Sequence, residues 1–228
     1  HNVPTLNGEN VQGIQHKYRE TMLFFPSQGQ TCHAYCTFCF RWPQFTGMSD
    51  IKFAMKQTDL LVEYLKQNEE ITDILITGGD PMVMSAGILR KYIEALIDAD
   101  IPHLKTIRIG TKSLSFWPYR FLTDPDSEDI LDLFKKVSDK GINLAIMAHF
   151  NHYMELQTEA LENAVEKIRQ TGATIRTQSP LLQHINDDGN TWAAMWRKQV
   201  DLGMVPYYMF IARDTGAQHY FGVNLDSA

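Results

Sequence analysis

Asp73-Ile-Leu-Ile-Thr77-Gly-Gly-Asp-Pro81 reads as a short strand running into a tight turn, and residues 88–99 behind it carry apolar side chains at the three- and four-residue spacings of a helix. The strand is nearly all apolar, which suits a strand covered on both faces. This unit repeats outward in both directions. Further strands are expected at 22–25, 106–110, 143–147, 173–177 and 206–211, and further helices at 59–67, 130–140, 161–170 and 191–202. Helix punctuation agrees: Asp124-Pro125 offers a cap and a first-turn proline, and Gly141, Gly172 and Gly203 follow helices where a left-handed residue is wanted. Six such units make an α/β protein built on parallel strands, and the pattern leaves open whether they curl into an open barrel or form a flat doubly wound sheet. Residues 1–20 read as a polar arm, 112–123 as an aromatic-rich loop, and 21–228 as one domain.

Composition narrows the function. At 44% hydrophobic and 21% charged residues, the 228-residue chain is globular rather than disordered or disulfide-stapled. Its formal net charge of -6 is the wrong sign for a protein whose affinity comes from neutralising phosphates, so no nucleic-acid partner is expected. No apolar run approaches the ~20 residues that cross a bilayer, so no membrane span is expected. The chain begins at His1 without an initiator Met and is read as trimmed or as an excerpt. All three cysteines lie between residues 32 and 39, a poor plan for disulfides that fits a reducing, cytoplasmic setting.

In either arrangement of a parallel sheet, ligands gather beyond the C-terminal ends of the strands. There the chain places the cysteines after the first strand, Gly78-Gly79-Asp80 after the second, Thr111 after the third, His149 after the fourth, Gln178 after the fifth and Arg213 after the sixth. Cys32, Cys36 and Cys39 sit with three and then two residues between them, in a loop short enough for one small inorganic cluster. Three thiolates leave one iron of a cubane without a protein ligand, and an open iron implies chemistry at the metal. Three buried small side chains, or a structural zinc completed by His33 or a distant histidine, are the rival readings. Gly78 and Gly79 let backbone approach a ligand closely, with Asp80 as an anion suited to an ammonium, although a glycine turn with an Asp cap is the plainer reading.

The Cys-x3-Cys-x2-Cys loop with Phe38 before its third cysteine resembles the radical S-adenosylmethionine (SAM) superfamily. The segments Cys39-Phe-Arg41, Ile74-Leu-Ile-Thr-Gly-Gly-Asp-Pro81, Ile107-Arg-Ile-Gly-Thr111, His149-Phe-Asn-His152, Gln178-Ser-Pro-Leu-Leu182, Ile185-Asn-Asp-Asp188, Pro206-Tyr-Tyr208 and His219-Tyr-Phe221 are similar, in the same order, to lysine 2,3-aminomutase and its relatives. The resemblance implies a partial (β/α)6 TIM-like barrel, a [4Fe-4S] cluster on Cys32, Cys36 and Cys39, and SAM held by Phe38, Gly78, Gly79, Asp80, Thr111, His149 and Gln178. It implies a 5′-deoxyadenosyl radical that abstracts hydrogen from an amino-acid-like substrate, with Arg41 on the substrate carboxylate. Relatives carry further arginines where this chain has Trp42-Pro43, and a substrate-binding aspartate where counting forward from Tyr208 puts Arg213 and counting back from Gly216 puts Ala212; on either count its absence would disfavour free lysine here. Their pyridoxal phosphate (PLP) is bound by a lysine in a segment beyond the His-x-Phe stretch, so PLP is expected only if such a segment follows Ala228.

Three functions are therefore carried forward: an aminomutase-like radical SAM enzyme, a PLP-independent radical SAM enzyme modifying a peptide or natural product, and a non-catalytic iron-sulfur or zinc domain. The first two imply a flavodoxin- or ferredoxin-type reductant, and a homo-oligomer is compatible with either. An intact Gly-Gly-Asp-Pro turn argues against the third, because an electron carrier needs no SAM pocket.

Overall fold

A computed structural model describes residues 2–42, 54–211 and 216–224. Its first elements are a two-strand hairpin, β1 (Thr5–Leu6) and β2 (Glu9–Asn10), then β3 (Ile14–Tyr18) and β4 (Thr21–Phe24). Four βα units follow in sequence: α1 (Thr58–Gln67) and β5 (Asp73–Ile76), α2 (Ala86–Asp98) and β6 (Thr106–Thr111), the one-turn α3 (Ser113–Phe116) with α4 (Ser127–Asp139) and β7 (Asn143–His149), and α5 (Glu159–Gln170) with β8 (Thr174–Leu181). The series ends with α6 (Gly189–Asp201), β9 (Val205–Ile211) and the short α7 (Gln218–Phe221). All six expected strands and five expected helices are present, with ends shifted by a few residues.

Strand order decides between the two arrangements that periodicity left open. The main sheet runs β3-β4-β5-β6-β7-β8-β9 in chain order, and every pair from β4 to β9 is parallel. A doubly wound sheet would reverse direction at a switch point. Here each crossover of the same hand adds its strand on the same side, so the helices collect on one face and the sheet curls around the other as a half-barrel. Alternate residues accordingly go to different layers. In β6, Ile107 and Ile109 are wholly buried against the helices, while Thr106, Arg108 and Gly110 take the concave face. On that face Asp73 accepts from Thr21 Oγ1 at 3.0 Å and from Arg108 Nε at 2.8 Å.

The helices form for the reasons their sequences suggest. In α4, Ile130, Leu133, Phe134 and Val137 make one buried stripe, with Glu128 and Asp129 at the positive N-terminal end and Lys136 near the C-terminus. Thr158 caps α5, its Oγ1 accepting from Leu161 N at 3.2 Å. The start of α4 lies beyond Asp124-Pro125, because the aspartate that ends the turn, Asp126, is held elsewhere. It pairs with the buried Arg120 and accepts from Ala86 N at 2.6 Å, tying α4 to α2.

Two segments differ from expectation. Residues 2–20, read as part of a polar arm, are tied into the fold: β3 pairs antiparallel with β4, and Leu6, Val11 and Ile14 join the main core. Polar residues dominate this stretch by count, but Leu6, Val11 and Ile14 are buried. The aromatic-rich 112–123 loop is also structured, holding α3 and a 3-10 turn at Pro118–Phe121. No helix among the described residues is long and apolar enough to cross a membrane.

Candidate active site

At the C-terminal end of β4, residues 30–42 form the loop that carries the cysteines. It is laid directly on the turn that follows β5. Gly79 N donates to Gly29 O at 3.1 Å and Asp80 N to Thr31 O at 2.9 Å. A Cβ on Gly79 would stand 2.1 Å from Thr31 O, and one on Gly78, whose φ is +146°, would stand 2.3 Å from the Gln30 side chain. Gly79 thus admits the close approach of the cysteine loop's own backbone, while Gly78 is required by its positive φ.

Asp80 lies beneath this junction at 2% exposure. Its carboxylate caps the Pro81–Val83 turn, accepting from Met82 N at 2.9 Å, and also accepts from Thr111 Oγ1 at 2.7 Å and Lys112 N at 2.8 Å. His33 Nε2, on the cysteine loop, lies 3.0 Å from Asp80 Oδ2 and 3.0 Å from Ser113 Oγ. One carboxylate therefore joins the ends of β4, β5 and β6, with His33 reaching it from between Cys32 and Cys36. The Thr111 hydroxyl, expected at a ribose or adenine, is directed to Asp80 and accepts from Ser113 N at 2.9 Å.

The three thiols are half-buried and free. Burial pushes the Cys36 thiol up to about 11; Lys112 opposes this, while Cys32 and Cys39 add to it, so the three sulfurs feel one another's charge. Burial likewise raises Cys39. Ala34 N donates to Cys32 Sγ at 3.4 Å. No three His, Cys, Asp or Glu side chains among the described residues close around a single ion. A cubane would take one thiolate per iron, so it asks for three cysteines on one loop and not for three donors around a single ion.

Around the loop stand groups from the later strands. The Phe38 ring meets His149 edge-on at 6.0 Å and Phe221 at 5.8 Å, and His149 aligns with Gln178 across β7 and β8. His149 Nε2 is 2.7 Å from Asn151 Oδ1; as the donor of that bond it leaves Nδ1 as an acceptor. Burial, helped by the charge of Lys112, lowers the His149 pKa to about 3, so the ring is neutral. Arg41 lies over the rings of Phe25 at 4.8 Å and Phe40 at 4.9 Å, and burial lowers its pKa to about 10. Arg213 lies outside the described residues.

Sequence reasoning did not find the roles of His33 or of Lys112 with Glu155. Lys112, 4% exposed, donates to Glu155 Oε2 at 3.1 Å, and Asn151 N donates to the same carboxylate at 3.2 Å. These partners lie 47 and 43 residues apart, and no local pattern links them.

No family model matches the chain. A protein named for L-lysine 2,3-aminomutase from Aquifex aeolicus (strain VF5) is 36% identical over 216 residues, covering 95% of this chain and 55% of that protein. The L-lysine 2,3-aminomutase of Bacillus subtilis (strain 168) is 30% identical over 200 residues, covering 88% of this chain and 39% of the enzyme. The chain thus spans about half the length, or less, of these curated relatives. Among solved structures, a radical SAM methyltransferase from Sphaerobacter thermophilus superposes with a TM-score of 0.59 at 14% identity, covering 98% of this chain and 65% of that one. That likeness shows the fold. Over 88–95% of its own length the chain is thus similar to L-lysine 2,3-aminomutases, and it shares its fold with a radical SAM protein.

Proposed function

We propose that this chain is the cluster- and SAM-binding half-barrel of a radical SAM enzyme that abstracts hydrogen from an amino-acid-like substrate, in the manner of the aminomutases it is similar to. The observation that carries the reading is the junction at Asp80, which fastens a three-cysteine loop to the strand ends where a SAM-sized ligand would lie. Cys32, Cys36 and Cys39 would hold the [4Fe-4S] cluster. When bound and reduced, it supplies the electron that divides SAM into methionine and a 5′-deoxyadenosyl radical.

The chain's own part is positioning and exclusion of water. Asp80 holds the Gly78-Gly79 turn in place beneath the methionine end, so the turn's backbone rather than a free carboxylate carries that contact. His149, kept neutral, offers Nδ1 to a ribose or adenine donor, with Gln178 beside it. Phe38, packed on His149 and Phe221, gives the purine an apolar wall and keeps water from a radical. Arg41, backed by two aromatic rings and free of any carboxylate partner among the described residues, offers a planar fork to the substrate carboxylate. PLP does not fit the described lysines. Lys112 is held by Glu155, Lys136, Lys167 and Lys198 pair with carboxylates of the helix layer, and the rest are exposed.

The test is anaerobic reconstitution with iron and sulfide, followed by reductant and SAM. Cluster loading with production of methionine and 5′-deoxyadenosine is expected. A fully loaded protein that leaves SAM intact with amino-acid substrates and a strong reductant would refute the proposal.

A further inference from the structure

The concave face of the sheet holds a cation that neither the cluster, SAM nor the fold accounts for. In β8, Thr177 Oγ1 donates to Gln199 Oε1 of α6 at 2.6 Å and Ile175 is wholly buried in the core, so these residues face the helix layer. Period-two alternation then puts Arg176 and Gln178 on the concave face. Arg176 aligns with Met147 of β7 and Val205 of β9, one layer (roughly 6–7 Å) beneath the His149–Gln178 pair at the rim.

Arg108 of β6, the other concave-face arginine, is neutralised by Asp73 in a two-point pair. Among the described residues Arg176 has no such partner. Its guanidinium lies 5.3 Å over the Tyr207 ring of β9, and among the described residues no carboxylate pairs with it. Met147 stands beside it in the same layer, with Gly110 of β6 one strand further on. A half-buried guanidinium stacked on an aromatic ring, with no anion of its own among the described residues, is a preorganised fork for a carboxylate. A phosphate site would normally gather several donors or a helix N-terminus, and Arg176 stands alone.

We infer that Arg176 binds a carboxylate at the far end of the substrate, which makes the substrate an acidic amino acid. The inference rests on the proposed function for its substrate class, with Arg41 at the rim taking the α-carboxylate and Arg176 the distal one deeper in the barrel. It assigns the specificity to β8 and makes no use of Arg213.

Calorimetric binding to the full-length, reconstituted, SAM-loaded protein tests it without turnover. L-glutamate should bind about tenfold or more tightly than its neutral isostere L-glutamine, and more tightly than L-lysine, as a charge-assisted pair requires. Arg176→Met should lower glutamate affinity roughly tenfold to a hundredfold while glutamine affinity, iron content and SAM affinity stay unchanged. Arg176→Lys, which keeps the charge but not the fork, should fall between the two and serves if the Met variant misfolds. Equal binding of glutamate and glutamine, a preference for lysine, or an Arg176→Met loss that falls on added PLP rather than on glutamate would overturn the inference. Discrimination by charge without SAM cleavage would leave Arg176 as assigned and sink the radical SAM reading. Cleavage without discrimination would do the reverse.

Discussion

Asp80→Ala removes a carboxylate that is 2% exposed and accepts from Met82 N, Thr111 Oγ1 and Lys112 N, with His33 Nε2 at 3.0 Å. Thr111 and His33 can turn to other partners, but the two backbone N–H groups cannot. Leaving each of those buried donors without an acceptor costs about 1–3 kcal/mol, so a loss of about 2–6 kcal/mol is expected. Against a typical total of roughly 5–15 kcal/mol, that is enough to unfold much of the population. Asp80→Asn keeps one carbonyl oxygen, which can serve Met82 N and Thr111, but sets an amide NH2 or a missing acceptor against Lys112 N; about half the loss is expected. Urea unfolding of the apo chain with its cysteines reduced measures both. If Asp80→Ala cost less than about 1 kcal/mol, Asp80 would not be the fastening between the cysteine loop and the strand ends. The same arithmetic makes the milder Asn variant the right one for SAM affinity, because weaker binding by the Ala variant would report unfolding rather than contact.

Each of Cys32→Ala, Cys36→Ala and Cys39→Ala should lower cluster iron and abolish SAM cleavage, checked by iron analysis and by chromatography of 5′-deoxyadenosine. Gly79→Ala should cost about 1–3 kcal/mol or prevent folding, since its Cβ would meet Thr31 O at 2.1 Å; a melting temperature equal to wild type would contradict the packing described. Arg120→Met leaves Asp126 without its cation and Met82 O and Met84 O without their donor, and should destabilise by about 3–5 kcal/mol in denaturant titration. His149, neutral in the fold down to about pH 3, charges in the unfolded chain near pH 6.5, so the unfolded state binds the extra proton in that window. Stability should therefore fall as pH drops below about 6.5, by up to about 1.4 kcal/mol per pH unit, and His149→Gln should flatten that slope.

The sequence by itself determined the parallel βα units, because apolar runs of period two and stripes of period 3.6 are local signals that the nearest ten residues carry. It also determined the cysteine loop and the rim on which Gly78, Asp80, Thr111, His149 and Gln178 fall, since ligands in parallel sheets collect at one end of the strands. Half-barrel or doubly wound sheet was a matter of strand order, which periodicity does not encode and tertiary pairing does. The same holds for the first twenty residues, whose polar count hid the three apolar side chains that join the core. Asp80 shows the division most sharply. Its place in a Gly-Gly-Asp turn was legible, but only the fold brings His33, Thr111 and Lys112 to it, and those donors turn an apparently free anion into the buried fastening of the site. Arg176 is the converse case: the chain reads it as an ordinary strand arginine, and only the curl of the sheet gives it a concave face where no described carboxylate meets it.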